Sequence, residues 1–212
     1  MKNANPSIEE LRNPERFELV AQINHQQIKE FVIEQLTSDC KIIRLYMYYQ
    51  VAMIAVGAFF LARSVILAFK YTAIELIYTI AALVFSLTVL VVIHELIHGL
   101  ALKLAGAPKV SFGGYIRKFI FYAEADLFVI NRRQFAFIAL APLVLVKLLT
   151  LAGIILFFNH PVLYFMIFVM SAHSLFCAGD IGLLSLFYKY RDGEIFNFDS
   201  QAEKTSYYFR KI

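Results

Sequence analysis

Tryptophan is absent from this chain of 212 residues, and there are only two cysteines, five prolines and nine glycines. Without tryptophan, the part of an amphipathic ring at a membrane–water boundary falls to tyrosine, of which there are twelve. Cys40 and Cys177 cannot build a disulfide framework, and Cys177 sits in an apolar run, so they do not identify a redox compartment. Charge is scarce as well: Asp, Glu, Lys and Arg make up 17% of the chain. The net +4 is spread along polar connections rather than gathered into a patch, which argues against a nucleic-acid partner. No repeat or low-complexity segment is evident. Residues 1–41 are polar throughout, so no signal peptide is expected and the first apolar run is expected to direct insertion.

What the chain has in abundance is apolar surface. Sixty per cent of residues are hydrophobic (60%), twenty-one are Phe, and the mean hydropathy is +0.65. Those values belong to a polytopic membrane protein. Crossing a hydrocarbon core of ~30 Å takes about 20 helical residues. Four runs are long enough: Leu45 to Leu67, Thr72 to Leu102, Phe135 to Phe158 and Val162 to Phe187. The expected fold is therefore all-α and polytopic, with about four transmembrane helices. Lys and Arg crowd the N-terminal segment (Lys2, Arg12, Arg16, Lys29, Lys41, Arg44), the connection between spans two and three, and the C-terminal tail. The positive-inside rule then predicts a multi-pass cell-membrane protein with both termini cytoplasmic. The division expected is 1–44 as a cytoplasmic N-terminal segment, 45–188 as the membrane domain and 189–212 as a cytoplasmic tail. Within the first, Ser7-Ile8-Glu9-Glu10 reads as a capping box opening a short helix, and Ile28, Val32 and Leu36 mark a second, amphipathic one.

Inside span two stands His94-Glu95-Leu96-Ile97-His98. Residues four apart share one face of a helix, so two imidazoles can bind a single Zn²⁺ with Glu95 beside it to take a proton from water. Three ionisable residues in an apolar span are expensive, and the default reading of that expense is function.

A catalytic zinc wants a third protein ligand at the same depth. His94 lies ~13 Å of helix from the cytoplasmic end of span two, and Asp180 ~11 Å from that of span four. Asp180 is the favoured ligand. It lies in Ala178-Gly179-Asp180-Ile181-Gly182, whose glycines are expected to let neighbouring helices approach. His173 and Cys177 form a stripe with it at i, i+4 and i+7. On an unbroken helix His173 is ~10 Å further out, which favours a hydrogen bond to a neighbouring helix over ligation. Cys177 reads as a packing residue, and Glu124 and Asp126 as solvated carboxylates in a polar connection. Lys147, in the middle of span three, is expected to hold an interhelical ion pair, with pairing to Asp180 or oxyanion stabilisation as accessory roles.

The connection between spans two and three is expected to carry one or two strands, over Lys109–Ile116 and Lys118–Ala123 with Gly113-Gly114 among them. This β-hairpin-like cytoplasmic segment either offers an edge to an extended peptide or plugs the cytoplasmic mouth.

His94-Glu95-Leu96-Ile97-His98-Gly99 in an apolar helix resembles the site-2 protease class of intramembrane metalloproteases. More closely, residues 75 to 190 resemble the zincin peptidases of the DUF3267 family, through that helix, Phe112-Gly113, Ala141-Pro142 and Gly179-Asp180. The resemblance implies that His94, His98 and Asp180 bind zinc and that Glu95 is the general base. The Asn-Pro that precedes the Asp-Gly element in site-2 proteases has no counterpart here, and no PDZ-like insertion fits. The function expected is zinc-dependent hydrolysis of membrane protein or peptide substrates in the lipid bilayer, near the cytoplasmic face. The competing readings are a non-catalytic metal-binding scaffold of the same fold and an ion-handling transporter. A retained Glu95 speaks against the first, and the absence of an inverted repeat against the second.

Overall fold

The computed structural model describes residues 5–115, 120–190 and 193–212. Ile116, Arg117, Lys118 and Phe119 of the expected strands, and Lys2 and Arg191 among the topology charges, lie outside the described residues.

Among the described residues, three helices are long and apolar enough to cross a membrane: α3 (Lys41–Lys70), the run Ile74–Leu104, and α6 (Arg132–Leu156). The second consists of α4 (Ile74–Phe85), one π-helical turn at Ser86–Leu90, and α5 (Val91–Leu104). A π turn adds one residue to the helical register, so it resets the face that the following turns present; such turns recur at functional sites. The fourth expected span is broken at Cys177 into α7 (Val162–Phe176) and α8 (Ala178–Lys189), and the count reaches four only if the pair is taken as one. The unbroken helix assumed for His173 and Asp180 is thus corrected.

The all-α expectation is corrected too. The chain is mostly helical, but the described residues also form six strands: β1 (Phe17–Asn24), β2 (Ser111–Tyr115), β3 (Ile120–Glu124), β4 (Ile130–Asn131), β5 (Ile195–Ser200) and β6 (Thr205–Lys211). The predicted short helices are present as α1 (Ile8–Leu11), with Ser7 and Glu10 closing the capping box, and α2 (Ile28–Leu36).

The chain divides into two compact units. The first comprises residues 1–43, 95–141 and 179–212. It contains an antiparallel sheet of order β1-β6-β5-β4, in which Phe17 faces Lys211 and Phe196 faces Phe209. Segments from both ends of the sequence therefore become neighbouring strands. Leu11, Phe17, Phe196, Phe198 and Phe209 form one buried cluster on this sheet, and Ile23, Phe187, Ile195 and Tyr208 another. In the expected hairpin, Gly113-Gly114 falls inside β2 rather than between the strands. A Cβ on Gly113 would lie 2.5 Å from the ring of Tyr122, its partner on β3, so glycine there makes room for that ring. Gly99 does the same for α5, since a Cβ would meet Phe112 at 2.5 Å. The helix turn after His98 thus packs directly on β2. Gly182 seats α8 against Val32 of α2, as expected of a close-approach glycine, whereas a Cβ on Gly179 would meet nothing within 4 Å among the described residues.

The second unit comprises residues 44–94 and 142–178. Its helices pack through small residues and buried polar contacts. A Cβ at Gly57 would press on Ser171, one at Gly153 on Met166, and the Tyr46 hydroxyl donates to the Ser174 carbonyl at 2.6 Å. Large apolar side chains nonetheless point outward along α3, with Tyr48 at 71% and Phe69 at 89% exposure.

Candidate metal centre

In the first unit, α5 supplies Glu95 and His98, and α8 supplies Asp180. His98 is buried, Glu95 and Asp180 are half-buried, and all three line one cavity of about 170 Å³. His98 Nδ1 donates to the carbonyl of Ile138 at 3.0 Å. That carbonyl is open for a reason written in the sequence. In an α-helix the carbonyl of residue 138 accepts from the N–H of residue 142, and here residue 142 is Pro, which has none. The Ala141-Pro142 step therefore frees an acceptor that fixes the ring of the second histidine.

With Nδ1 so engaged, His98 presents Nε2, which lies 3.1 Å from Asp180 Oδ1. Ligand atoms ~2.0–2.1 Å from a tetrahedral zinc stand about 3.3 Å apart, so the pair has the spacing of two ligands to one ion. An orienting partner on the far nitrogen of a ligating histidine is what metal sites ordinarily carry.

In the second unit, His94 is buried and its Nδ1 lies 3.0 Å from Nε2 of His173, which is fully buried. Nδ1 of His173 is 3.8 Å from Cys177 Sγ. When Nδ1 of His94 carries the proton shared between the first two rings, Nε2 of that ring keeps a lone pair. His94 and His98 remain on one face of α5, a single turn apart. His94, His173 and Cys177 also place one ligand atom each within 4.8 Å of one another, so they could themselves hold an ion.

Among the described residues no carboxylate forms the ion pair expected of Lys147. Among the described residues its Nζ donates to the Met170 carbonyl at 3.0 Å, touches Met53 Sδ at 3.3 Å and lies 4.9 Å from the ring centroid of Tyr49. A backbone carbonyl and an aromatic face replace the carboxylate. Nor is Glu124 solvated as expected. It is 9% exposed, lines the same cavity as Glu95, and burial followed by the charge of Asp199 pushes its carboxyl up to about 7. Asp126 is exposed and accepts from the backbone N–H of Gln201 at 2.9 Å.

His25 and Asp199 were invisible to sequence reasoning. They stand 174 residues apart in the chain, yet both line the cavity. His25 Nδ1 is 3.8 Å from Glu124 Oε2. Burial lowers the pKa of His25 and raises that of Asp199. Neither residue belongs to a motif; only strand pairing brings them to the site.

A glutamate and histidine on one helical turn, a carboxylate at ligand spacing and a second histidine four residues back are the residue types and spacings that a zinc-peptidase site requires. The model of DUF3267, described as "Putative zincin peptidase", matches residues 87–195 of the chain. The protein belongs to that family. No curated protein and no solved structure matches it.

Proposed function

We propose that the protein is an intramembrane zinc metallopeptidase of the site-2 type, acting on membrane proteins or membrane-associated peptides near the cytoplasmic face. His94, His98 and Asp180 would hold the zinc. Their chemistry, two neutral imidazole nitrogens and one carboxylate, suits that ion, and the 3.1 Å spacing of His98 and Asp180 beside Glu95 is the observation that carries the reading. When bound, zinc supplies a Lewis acid that activates water and polarises a carbonyl.

The chain's own residues do the rest. Glu95 takes the proton of the attacking water and delivers it to the leaving amine, work worth typically 10²–10⁴-fold in rate. The Ile138 carbonyl and His173 hold the two histidine rings in their ligating tautomers. Phe121, Tyr122 and Glu124 of β3 border the cavity, and a substrate in extended form would lie along this strand, since a helical peptide bond is shielded from attack. The three or four long apolar helices, their outward apolar side chains and the distribution of Lys and Arg support a multi-pass protein with cytoplasmic termini.

The test is zinc content and proteolysis of detergent-purified protein, wild type beside Glu95→Gln and Asp180→Ala. The reading expects about one zinc per chain in wild type and Glu95→Gln, none in Asp180→Ala, and hydrolysis in wild type alone. Equal cleavage by wild type and Glu95→Gln would overturn the general-base assignment.

A second reading has its own observation: the cluster of His94, His173 and Cys177. A metal held there would make the protein a non-catalytic metal-binding scaffold. It requires zinc to be lost in Cys177→Ser and kept in Asp180→Ala.

A further inference from the structure

The cavity that holds Glu95, His98 and Asp180 has a second acidic wall. Among the described residues lining it are four carboxylates, Glu95, Asp180, Glu124 and Asp199, and no Lys or Arg. Glu95 and Asp180 balance the two charges of the zinc assigned above, which leaves Glu124 and Asp199 without a cation. His25 does not supply one, because its burial favours the neutral ring.

Glu124 carries the sharper sign. The residue is 9% exposed, and its Oε2 is buried without a hydrogen bond, with His25 Nδ1 at 3.8 Å, beyond hydrogen-bonding distance. An ionised carboxylate oxygen in that state is costly unless a charged partner joins it. The same cavity is also lined by Ile28, Phe121, Leu183 and Tyr122. Such a surface suits a methylene stem, with an ammonium or guanidinium at its end meeting the carboxylates.

We propose that Glu124 and Asp199 form a subsite for the basic side chain of a lysine or arginine in the substrate, next to the bond to be cut. This rests on the peptidase reading for its place in a reaction but not for binding. The pairing is direct: the cation sits between Glu124 Oε2 and the Asp199 carboxylate, while the Ser206 hydroxyl hydrogen-bonds to Asp199 and keeps it in position. Binding drives both carboxyls to their ionised forms and releases protons, since burial holds each above its ordinary range.

The test measures binding without turnover. The peptide dansyl-Ala-Phe-Lys-Leu-Ala-amide, labelled on its N-terminal nitrogen, and its norleucine counterpart, which keeps the stem and lacks the charge, are titrated into Glu95→Gln protein in detergent and followed by fluorescence anisotropy. The lysine peptide is expected to bind at least tenfold more tightly. Adding Glu124→Gln or Asp199→Asn should bring the ratio below about threefold, with circular dichroism unchanged; Gln and Asn keep the shape, so a folding failure in one variant leaves the other to report. Equal binding of the two peptides to Glu95→Gln protein would overturn the proposal. So would an unlabelled norleucine peptide with a free N-terminus that displaces the dansyl peptide as well as the unlabelled N-acetylated lysine peptide does, because the ligand would then be an α-amine. If the lysine preference holds but wild type cleaves neither peptide, the subsite stands and the peptidase reading is what fails.

Discussion

Replacing Pro142 by Ala should make the protein more stable and its metal weaker-bound, two effects of opposite sign from one atom. The alanine N–H regains the hydrogen bond to the Ile138 carbonyl, and alanine is preferred over proline in a helix interior by up to ~3 kcal/mol. That same carbonyl accepts from His98 Nδ1 at 3.0 Å in the wild type. A carbonyl has two lone pairs, so the new N–H competes with the histidine rather than evicting it. A typical net hydrogen bond is worth ~0.5–1.5 kcal/mol, and losing part of one lowers zinc affinity by about two- to tenfold. Complete loss of an outer partner costs ~10–100-fold and sets the upper limit. Chelator competition read by Co²⁺ absorption gives the affinity, and thermal unfolding in the same detergent gives the stability. A raised midpoint with unchanged affinity would refute the idea that the proline serves the histidine.

Other substitutions separate the remaining parts of the argument. His173→Phe removes the partner of His94 Nδ1 and should weaken zinc binding ~10–100-fold by the same chelator competition, with helix content retained in circular dichroism. Gly99→Ala drives a methyl into the Phe112 ring and should lower stability by ~1–3 kcal/mol in denaturant unfolding, or shift Phe112 visibly in its NMR spectrum. Removing the metal with a chelator should abolish cleavage, and added zinc should restore it in wild type but not in Glu95→Gln. For pH, the Glu124 carboxyl is raised from 4.5 to about 7, so the folded state favours its protonated form. The stability this contributes is fully present below 4.5 and is lost as pH rises through about 7. Glu124→Gln cannot lose it, and its unfolding midpoint should exceed that of wild type increasingly from pH 5 to 8; parallel profiles would contradict a buried, ionising Glu124.

Much of the helical part was legible because it depends on local pattern. Length and apolarity alone mark the runs that become α3, Ile74–Leu104 and α6, and the i, i+4 spacing puts His94 and His98 on one face whatever surrounds them. Ser7 and Glu10 announced α1 because a capping box is closed within four residues. The break at Cys177 was not legible, since no proline marks it. The sheet was hidden for a different reason. β1 and β6 are paired across most of the chain, and a short strand in a polar segment carries no periodicity strong enough to announce a partner so far away.

The site divides along the same line. Sequence by itself determined that Glu95 and His98 share one turn of helix, and that an N–H is missing at Pro142, because both follow from covalent order along one helix. Tertiary structure decided that Ile138 would turn its open carbonyl to His98, that Asp180 would stand 3.1 Å from it, and that His25, Glu124 and Asp199 would line one cavity. Those are meetings of residues far apart in the chain, and they are fixed by how helices and strands pack rather than by any local preference.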